Sequence, residues 1–459
     1  MSGLSCLIRR CIVIATSTIL LMVFLLQIDY LKLIESLPHQ TPAVDPRCDG
    51  QQHPLSSQAL LYPGCKNNDR LGSIPSTPAL FNYTLPLRTR GRDIVDARGQ
   101  RVKLASINWY GASDVGYIPA GLDAQHRDDI AKLIRSLGFN SVRLPYADEI
   151  VRDNPWIPAE KLSANRDLVR PDGRHSEEGE GALARDVFTA VVQSLTDAGI
   201  MVIVNNHITQ ATWCCGANPC DAVWNNDWFG GSLFCRVSQT EQQWISNWET
   251  TMHPLISNPG VIGVDLRNEP RGLWGTLSWD DWAGAAETAA HRLLTLNPDW
   301  LIVVEGISSA NDLSGVRTRP IELPPGYADR VVYSAHVYSW SGWGALRPYS
   351  GRTYSDFATS MRKNWAFIIE ENLAPVWIGE FGTADHPNSG DRNYWNNLIS
   401  FLGDIDVSWG YWALNPRKPA GWEWEGYGLV GDGWDEDSVR RDYRLNDLYH
   451  LGLRPELAS

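Results

Sequence analysis

Basic residues are the first shortage in this chain of 459 residues: 40 Lys and Arg stand against 53 Asp and Glu, a formal net charge of −13. An acidic surface repels phosphate backbones, so no nucleic-acid partner is expected and a neutral substrate fits better. No glycine-rich phosphate fingerprint follows the first strand-like run, which argues against a dinucleotide fold. Beyond the periodic region described below, no stretch is long enough for a separate binding module. What remains is ordinary globular material, 43% hydrophobic and 20% charged, enough for a sizeable core. Tryptophan is the exception, at 21 residues. Most of these belong in a core, but a flat apolar ring also suits the C–H face of a sugar.

Arg9 and Arg10 precede an uncharged apolar run from Cys11 to Ile28, which Asp29 ends. The run exceeds the roughly 7–15 residues of a cleaved signal core and sits at the lower end of the roughly 17–25 of a membrane span. No clear small-residue cleavage site follows it. Residues 1–30 therefore read as a signal-anchor of a single-pass type II protein, with a cleaved signal peptide as the alternative and a buried core helix as the third reading. Positive charge before the run leaves the rest of the chain outside the cytosol, at the cell surface or extracellular. Six cysteines follow (Cys48, Cys65, Cys214, Cys215, Cys220 and Cys235), an even number for an oxidising compartment. The sequence does not choose their pairing. Cys48 with Cys65 would leave the other four to staple one loop. A zinc site with the upstream His207 competes, against irregular spacing. Asn82-Tyr83-Thr84 is a glycosylation sequon that fits the same topology.

Residues 31–89 are rich in Pro, Ser, Gln and Asn and read as a stalk; residues 90–459 read as one folded unit. Arg90–Asp96 and Val102–Leu104 suggest a short hairpin turning at Ala97–Gln100 and closing a barrel floor. Apolar runs then recur at Leu104–Trp109, Ser141–Leu144, Ile200–Asn205, Val261–Leu266, Leu301–Glu305, Val331–His336, Val376–Glu380 and Trp409–Leu414. Helix-period stretches separate most of them, among them Gln125–Leu137, Ala182–Ala198, Trp279–Leu296, Tyr354–Glu370 and Tyr394–Leu402. Short strands buried on both faces, alternating with amphipathic helices, mark a parallel sheet. Eight such units predict an α/β fold, a closed (β/α)8 TIM barrel. The long loops Pro145–Gly181 and His207–Cys235 are expected to wall a cleft.

In such a barrel, reactive side chains come from the C-terminal ends of different strands. Those ends carry Asn108, Arg143, His207, Asn268 with Glu269, Glu305, His336 with Tyr338, Glu380 and Trp412. Each has a bland reading: Asn268-Glu269-Pro270 as a helix start, Glu380 as a helix cap, Arg143 as an ion pair, either histidine as a satisfied interior group. Together they form a polar ring that is costly to bury without a purpose. Two facing carboxylates suffice for glycoside hydrolysis, one protonating the leaving oxygen and the other attacking the anomeric carbon. Glu269 and Glu380 are the expected pair, as general acid/base and nucleophile. Arg143 is expected to keep Glu380 ionised, His336 and Tyr338 to orient it, and Asn268 to bind a sugar hydroxyl. Glu305 is assigned a supporting role. Trp109 reads as core or substrate platform; Trp340 and Trp343 read as platforms on the rim.

The sequence resembles glycoside hydrolase family 5, which contains many endoglucanases, from about Arg90 to Tyr449. The carrying motifs are Ile107-Asn108-Trp109, Asn140–Pro145, Val204–His207, Arg267–Pro270, His336–Tyr338, Ile378–Gly382 and Tyr411-Trp412. The resemblance implies a retaining hydrolase with Arg143, His207, Asn268, Glu269, His336, Tyr338, Glu380 and Trp412 in its recurrent site. Trp412 would floor the subsite of the cleaved sugar, with a cis peptide after it. Asn205-Asn206 departs from the family, where many members carry an acidic residue. The expected function is endo-β-1,4-glucanase action on a polysaccharide by a monomer, with no metal or organic cofactor. The same mechanism on β-mannan, β-1,3-glucan or a glycolipid, transglycosylation, and a non-catalytic glycan-binding barrel are the alternatives.

Overall fold

The computed structural model of the protein describes residues 82–171, 179–215, 218–272, 276–342, 348–418 and 423–453. The apolar run Cys11–Ile28, most of the stalk, Cys48, Cys65 and Trp343 lie outside those residues. Among the described residues no helix is long and apolar enough to cross a membrane.

Eight strands close into a parallel barrel: β1 (Ala105–Asn108), β2 (Ser141–Ala147), β3 (Met201–Ile208), β4 (Val261–Asp265), β5 (Leu301–Glu305), β6 (Val331–Val337), β7 (Val376–Phe381) and β8 (Ser408–Tyr411). Spatial order follows chain order, and β8 pairs back onto β1. Both faces are covered, which is why each strand reads as a near-continuous apolar run. The principal helices are α1 (Arg127–Ser136), α2 (Ala184–Asp197), α3 (Glu241–Met252), α4 (Trp279–Leu296), α5 (Tyr354–Met361, running on to Glu370), α6 (Ser389–Ile405) and α7 (Tyr443–His450). In α4 the Ser278 side chain accepts the Asp281 N–H to start the helix, and Trp282, Ala286 and Leu293 are buried along one stripe. Burying a large apolar side chain of this kind contributes about 1.5–3 kcal/mol.

Strand side chains alternate between the barrel interior and the helix layer. Along β5, Leu301 and Val303 pack inside while Ile302 and Val304 join the outer core. Along β3, Met201 and Ile203 face in while Val202 and Val204 face out. Continuing the period of two aims Glu305, Asn205 and His207 inward at the C-terminal rim. Leu87, Ile94, Val102 and Leu104 plug the opposite end.

One expectation changes. Residues 82–89, assigned to the stalk, belong to the folded body: Leu87 is buried, and Arg88–Arg90 pairs antiparallel with Asp93–Val95. A first hairpin thus turns at Gly91, whose φ of 55° suits glycine. The expected turn at Ala97–Gln100 is present as well: Val95 bridges Arg101 antiparallel, Val102 N–H donates to the Ile94 carbonyl at 2.8 Å, and the Asp96 carboxylate caps the turn by accepting the N–H groups of Thr84, Arg98 and Gln100.

Candidate active site

Arg143, at the inner face of β2, is fully buried and organises the rim. Its Nε donates to Asp265 Oδ2 at 2.7 Å. Its Nη1 donates to Asn108 Oδ1 at 3.0 Å and to Glu380 Oε1. Its Nη2 donates to Asn268 Oδ1 at 2.7 Å and Glu305 Oε1 at 2.9 Å. A planar guanidinium is suited to such a multi-sided contact. Burial opposes its charge, but Asp265, Glu380 and Glu305 hold its pKa above the ordinary value. Asn108 is itself fully buried, donating to the carbonyls of Gly379 and Tyr411 at 3.0 and 3.1 Å. It braces Arg143 and is not among the residues lining the cleft.

Glu269 follows β4 in a left-handed backbone conformation, φ 48°, and its N–H donates to Glu305 Oε2 at 2.7 Å. Glu380 lies on β7, where Tyr338 donates its hydroxyl to Oε2 at 2.9 Å. His336 departs from expectation: its Nδ1 is hydrogen-bonded to Glu269 Oε1 at 2.9 Å and lies 3.7 Å from Glu380 Oε2. The β6–β7 register slips beside it: Ala335 pairs with Ile378 and His336 with Glu380, so the extra residue is Gly379 on β7. Gly379 makes room for the His336 ring, since a Cβ there would lie 3.1 Å from His336 Nε2 and 2.7 Å from Ser334 Oγ. One carboxylate oxygen from each of Glu269 and Glu380 and one His336 nitrogen fall within 4.8 Å of one another.

The environments of these groups differ. Burial raises the Glu269 pKa, His336 opposes the shift, and Glu380 and Glu305 add to it. Burial opposes charge on His336, yet Glu305, Glu380 and Glu269 hold its imidazole well above the usual range. A cationic imidazole offers no lone pair, so the Glu269–His336–Glu380 cluster is a poor metal site. His207 is pushed well below the usual range by burial, with Arg143 and His336 adding to the effect. Its Nδ1 pairs with Asn205 Oδ1 at 2.8 Å, so the asparagine at that departure from the family orients a neutral ring.

The rim opens on a cleft of about 650 Å³ lined by Tyr110, Trp213, Glu269, Tyr338, Trp340, Glu380 and Trp412, among others. Trp412 stacks on Tyr110 (4.9 Å, 9°) and His207 (5.6 Å, 12°), and its peptide to Ala413 is cis, as the resemblance implied. Trp340 is half exposed and stacks on Tyr338 at 4.6 Å, whereas Trp109 is fully buried and belongs to the core. The loop His207–Cys235 supplies Thr212–Cys215 to the wall; among its described residues the loop Pro145–Gly181 supplies none to this cleft, against expectation. It packs instead beside α2 as a short antiparallel pair, Trp156–Pro158 with Gly181–Leu183. All four cysteines of the loop His207–Cys235 are bonded within it, but Cys214 pairs with its neighbour Cys215, and the bond that spans the loop is Cys220–Cys235. Bonded sulfurs are not thiolate ligands, and the zinc reading fails for them. Sequence reasoning passes over Tyr110 and Asp114. For Tyr110 the usable signal was period two: it shares the inner side with Asn108.

The sequence model of the cellulase family (glycosyl hydrolase family 5) matches residues 95–418. The chain is 28% identical over 362 residues to an endoglucanase of Paenibacillus polymyxa, covering 75% of this chain and 82% of that one. It is 26% identical over 381 residues to the major extracellular endoglucanase of Xanthomonas campestris, covering 79% and 70%. An endocellulase of Pyrococcus horikoshii, solved in complex with cellotetraose, has the same fold, with a TM-score of 0.63 at 23% identity, over 81% of this chain and 99% of that one. On that match, and on its closed eight-stranded barrel, the chain belongs to glycosyl hydrolase family 5 and is a glycoside hydrolase.

Proposed function

We propose that the chain is a retaining endo-β-1,4-glucanase with Glu269 as general acid/base and Glu380 as nucleophile. One observation carries this: the two carboxylates approach within 4.8 Å at one cleft, in unlike electrostatic surroundings. That approach suits the roughly 5–5.5 Å of retaining enzymes better than the roughly 6.5–9.5 Å that leaves room for an inverting water. Glu269, its pKa raised by burial, keeps a proton and gives it to the glycosidic oxygen as the bond to the anomeric carbon breaks. Glu380 attacks that carbon and forms a glycosyl ester, while Arg143 and Tyr338 hold its carboxylate in line. Glu269, now an anion beside cationic His336, takes a proton from the water that releases the sugar. Asn268 and Trp412 position the sugar being cleaved, and His207, oriented by Asn205, supports the Trp412 ring.

Internal cleavage of a cellulose-type chain is supported by the endoglucanase relatives and by exposed rings at Trp213 and Trp340 along the cleft. A compartment outside the cytosol is supported by the two disulfides, with the Cys11–Ile28 segment as the route there.

The test is release of reducing ends from carboxymethylcellulose, mannan and laminarin by the wild type, Glu269→Gln and Glu380→Gln. Release from carboxymethylcellulose alone, lost in both variants, is the expected result. Cleavage confined to mannan or laminarin would overturn the substrate, and activity surviving Glu380→Gln would overturn the mechanism. Binding without cleavage by the wild type would point to a glycan-binding barrel.

A further inference from the structure

Asn268 is held at both ends. Its Oδ1 accepts from the Arg143 guanidinium at 2.7 Å, a charge-assisted bond that fixes which way the amide faces. Its Nδ2 then points to the cleft wall, where it donates to Cys214 Sγ at 3.3 Å and Cys215 Sγ at 3.2 Å. Both sulfurs belong to one disulfide between adjacent residues, and both residues line the cleft beside Glu269. Sulfur is a weak acceptor. It can hold the amide hydrogens in place while the cleft is empty and yield them to a sugar hydroxyl. Its polarisable surface also offers contact to sugar C–H groups.

We propose that the Cys214–Cys215 disulfide is a positioning element for substrate, acting through Asn268 and forming part of the cleft wall. The inference rests on the glucanase reading of the same cleft. It gives the loop His207–Cys235 two separate jobs. Cys220–Cys235 closes the loop, and Cys214–Cys215 presents its inner tip to the reaction centre.

The test is a cycle on kcat and KM for an aryl β-cellobioside, using Cys214→Ala/Cys215→Ala, Asn268→Ala and the triple variant. The disulfide variant is expected to lose about tenfold in kcat/KM, Asn268→Ala about 100-fold, and the triple variant no more than Asn268→Ala alone. Losses that multiply in the triple variant would overturn the proposal, because the disulfide would then act independently of Asn268. The same cycle can be run without substituting the cysteines, by treating wild type and Asn268→Ala with dithiothreitol. That dithiol supplies two electrons and two protons, leaving two protein thiols and its own cyclic disulfide. Reduction should lower the wild-type rate and leave Asn268→Ala unchanged. An equal loss in both would assign the effect to Cys220–Cys235 and overturn the proposal. A wild type that cleaves no β-glucoside would instead bring down the glucanase reading, and this inference with it.

Discussion

The Glu305 carboxylate accepts the Glu269 backbone N–H at 2.7 Å and the Arg143 guanidinium at 2.9 Å, so one buried anion ties both proposed catalytic residues to a common anchor. Burial opposes its charge, but His336, Arg143 and the Glu269 N–H hold its carboxyl down to about 2. Glu305→Gln keeps the shape and removes the charge between two cations. The expected outcome is a kcat about 10- to 100-fold lower with KM changed less than threefold, as when a transition-state geometry is loosened without loss of binding. Steady-state kinetics on a soluble cello-oligosaccharide checks this, and a full-rate Glu305→Gln would show that the anchor is dispensable.

His336 stabilises the ionised form of Glu269 through a hydrogen bond and its own positive charge. The proposed acid works only while protonated. Replacing His336 with Asn removes the cation, so Glu269 holds its proton to higher pH. The alkaline limb of kcat/KM should therefore move upward, even as the rate falls by about 10- to 100-fold. A limb that stays in place or moves down would contradict this assignment.

Much of this site is legible in the sequence, for a physical reason. Barrel strands buried on both faces stand out as apolar runs, and a polar residue ending such a run has few uses other than a site. Glu269, Glu380 and Arg143 are read this way, and the structure gathers them at one rim. The partner of His336 is not legible, because Glu269 and Glu380 reach the same rim and the choice between them is a difference of less than one ångström, 2.9 Å against 3.7 Å from Nδ1. Helix α3 escapes because it lies behind a long cysteine-rich loop, and its buried face is carried largely by Trp244 and Trp248. The role of the Cys214–Cys215 pair is hidden too, since spacing cannot tell a pair of adjacent cysteines that bond to each other from two that bond elsewhere.

Trp340 and Trp412 should separate kinetically. Trp340 is 54% exposed, stacks on Tyr338 and has Tyr427 tilted beside it at 6.2 Å, so the exposed part of its ring can meet a sugar away from the bond being cut. Trp412 is only 7% exposed and packs against His207 and Tyr110 at the reaction centre. Trp340→Ala is expected to raise KM for long oligosaccharides about 3- to 10-fold with kcat unchanged, the scale of one aromatic stacking contact. Trp412→Ala should lower kcat itself. If both variants changed KM alone, Trp412 would be a remote binding ring and not the floor of the reacting subsite.

Asp114 carries a pH dependence of stability. Burial in the cleft wall pushes its carboxyl up to about 7, opposed only in part by the Gly116 N–H at 3.0 Å. An aspartate in the unfolded chain titrates near 3.8, so between these values the folded state binds more protons than the unfolded one. The contribution of Asp114 is thus most favourable below about 4, is lost as pH rises toward 7, and is flat above that. Asp114→Asn cannot ionise and escapes the penalty. Its melting temperature should match the wild type near pH 4 and exceed it by several degrees at pH 8, a difference on the order of a few kcal/mol at most. Scanning calorimetry of both proteins across that range decides the matter. A gap that stays constant or closes as pH rises would mean that Asp114 is ionised and solvated in the folded protein, and that this part of the cleft wall is open to water.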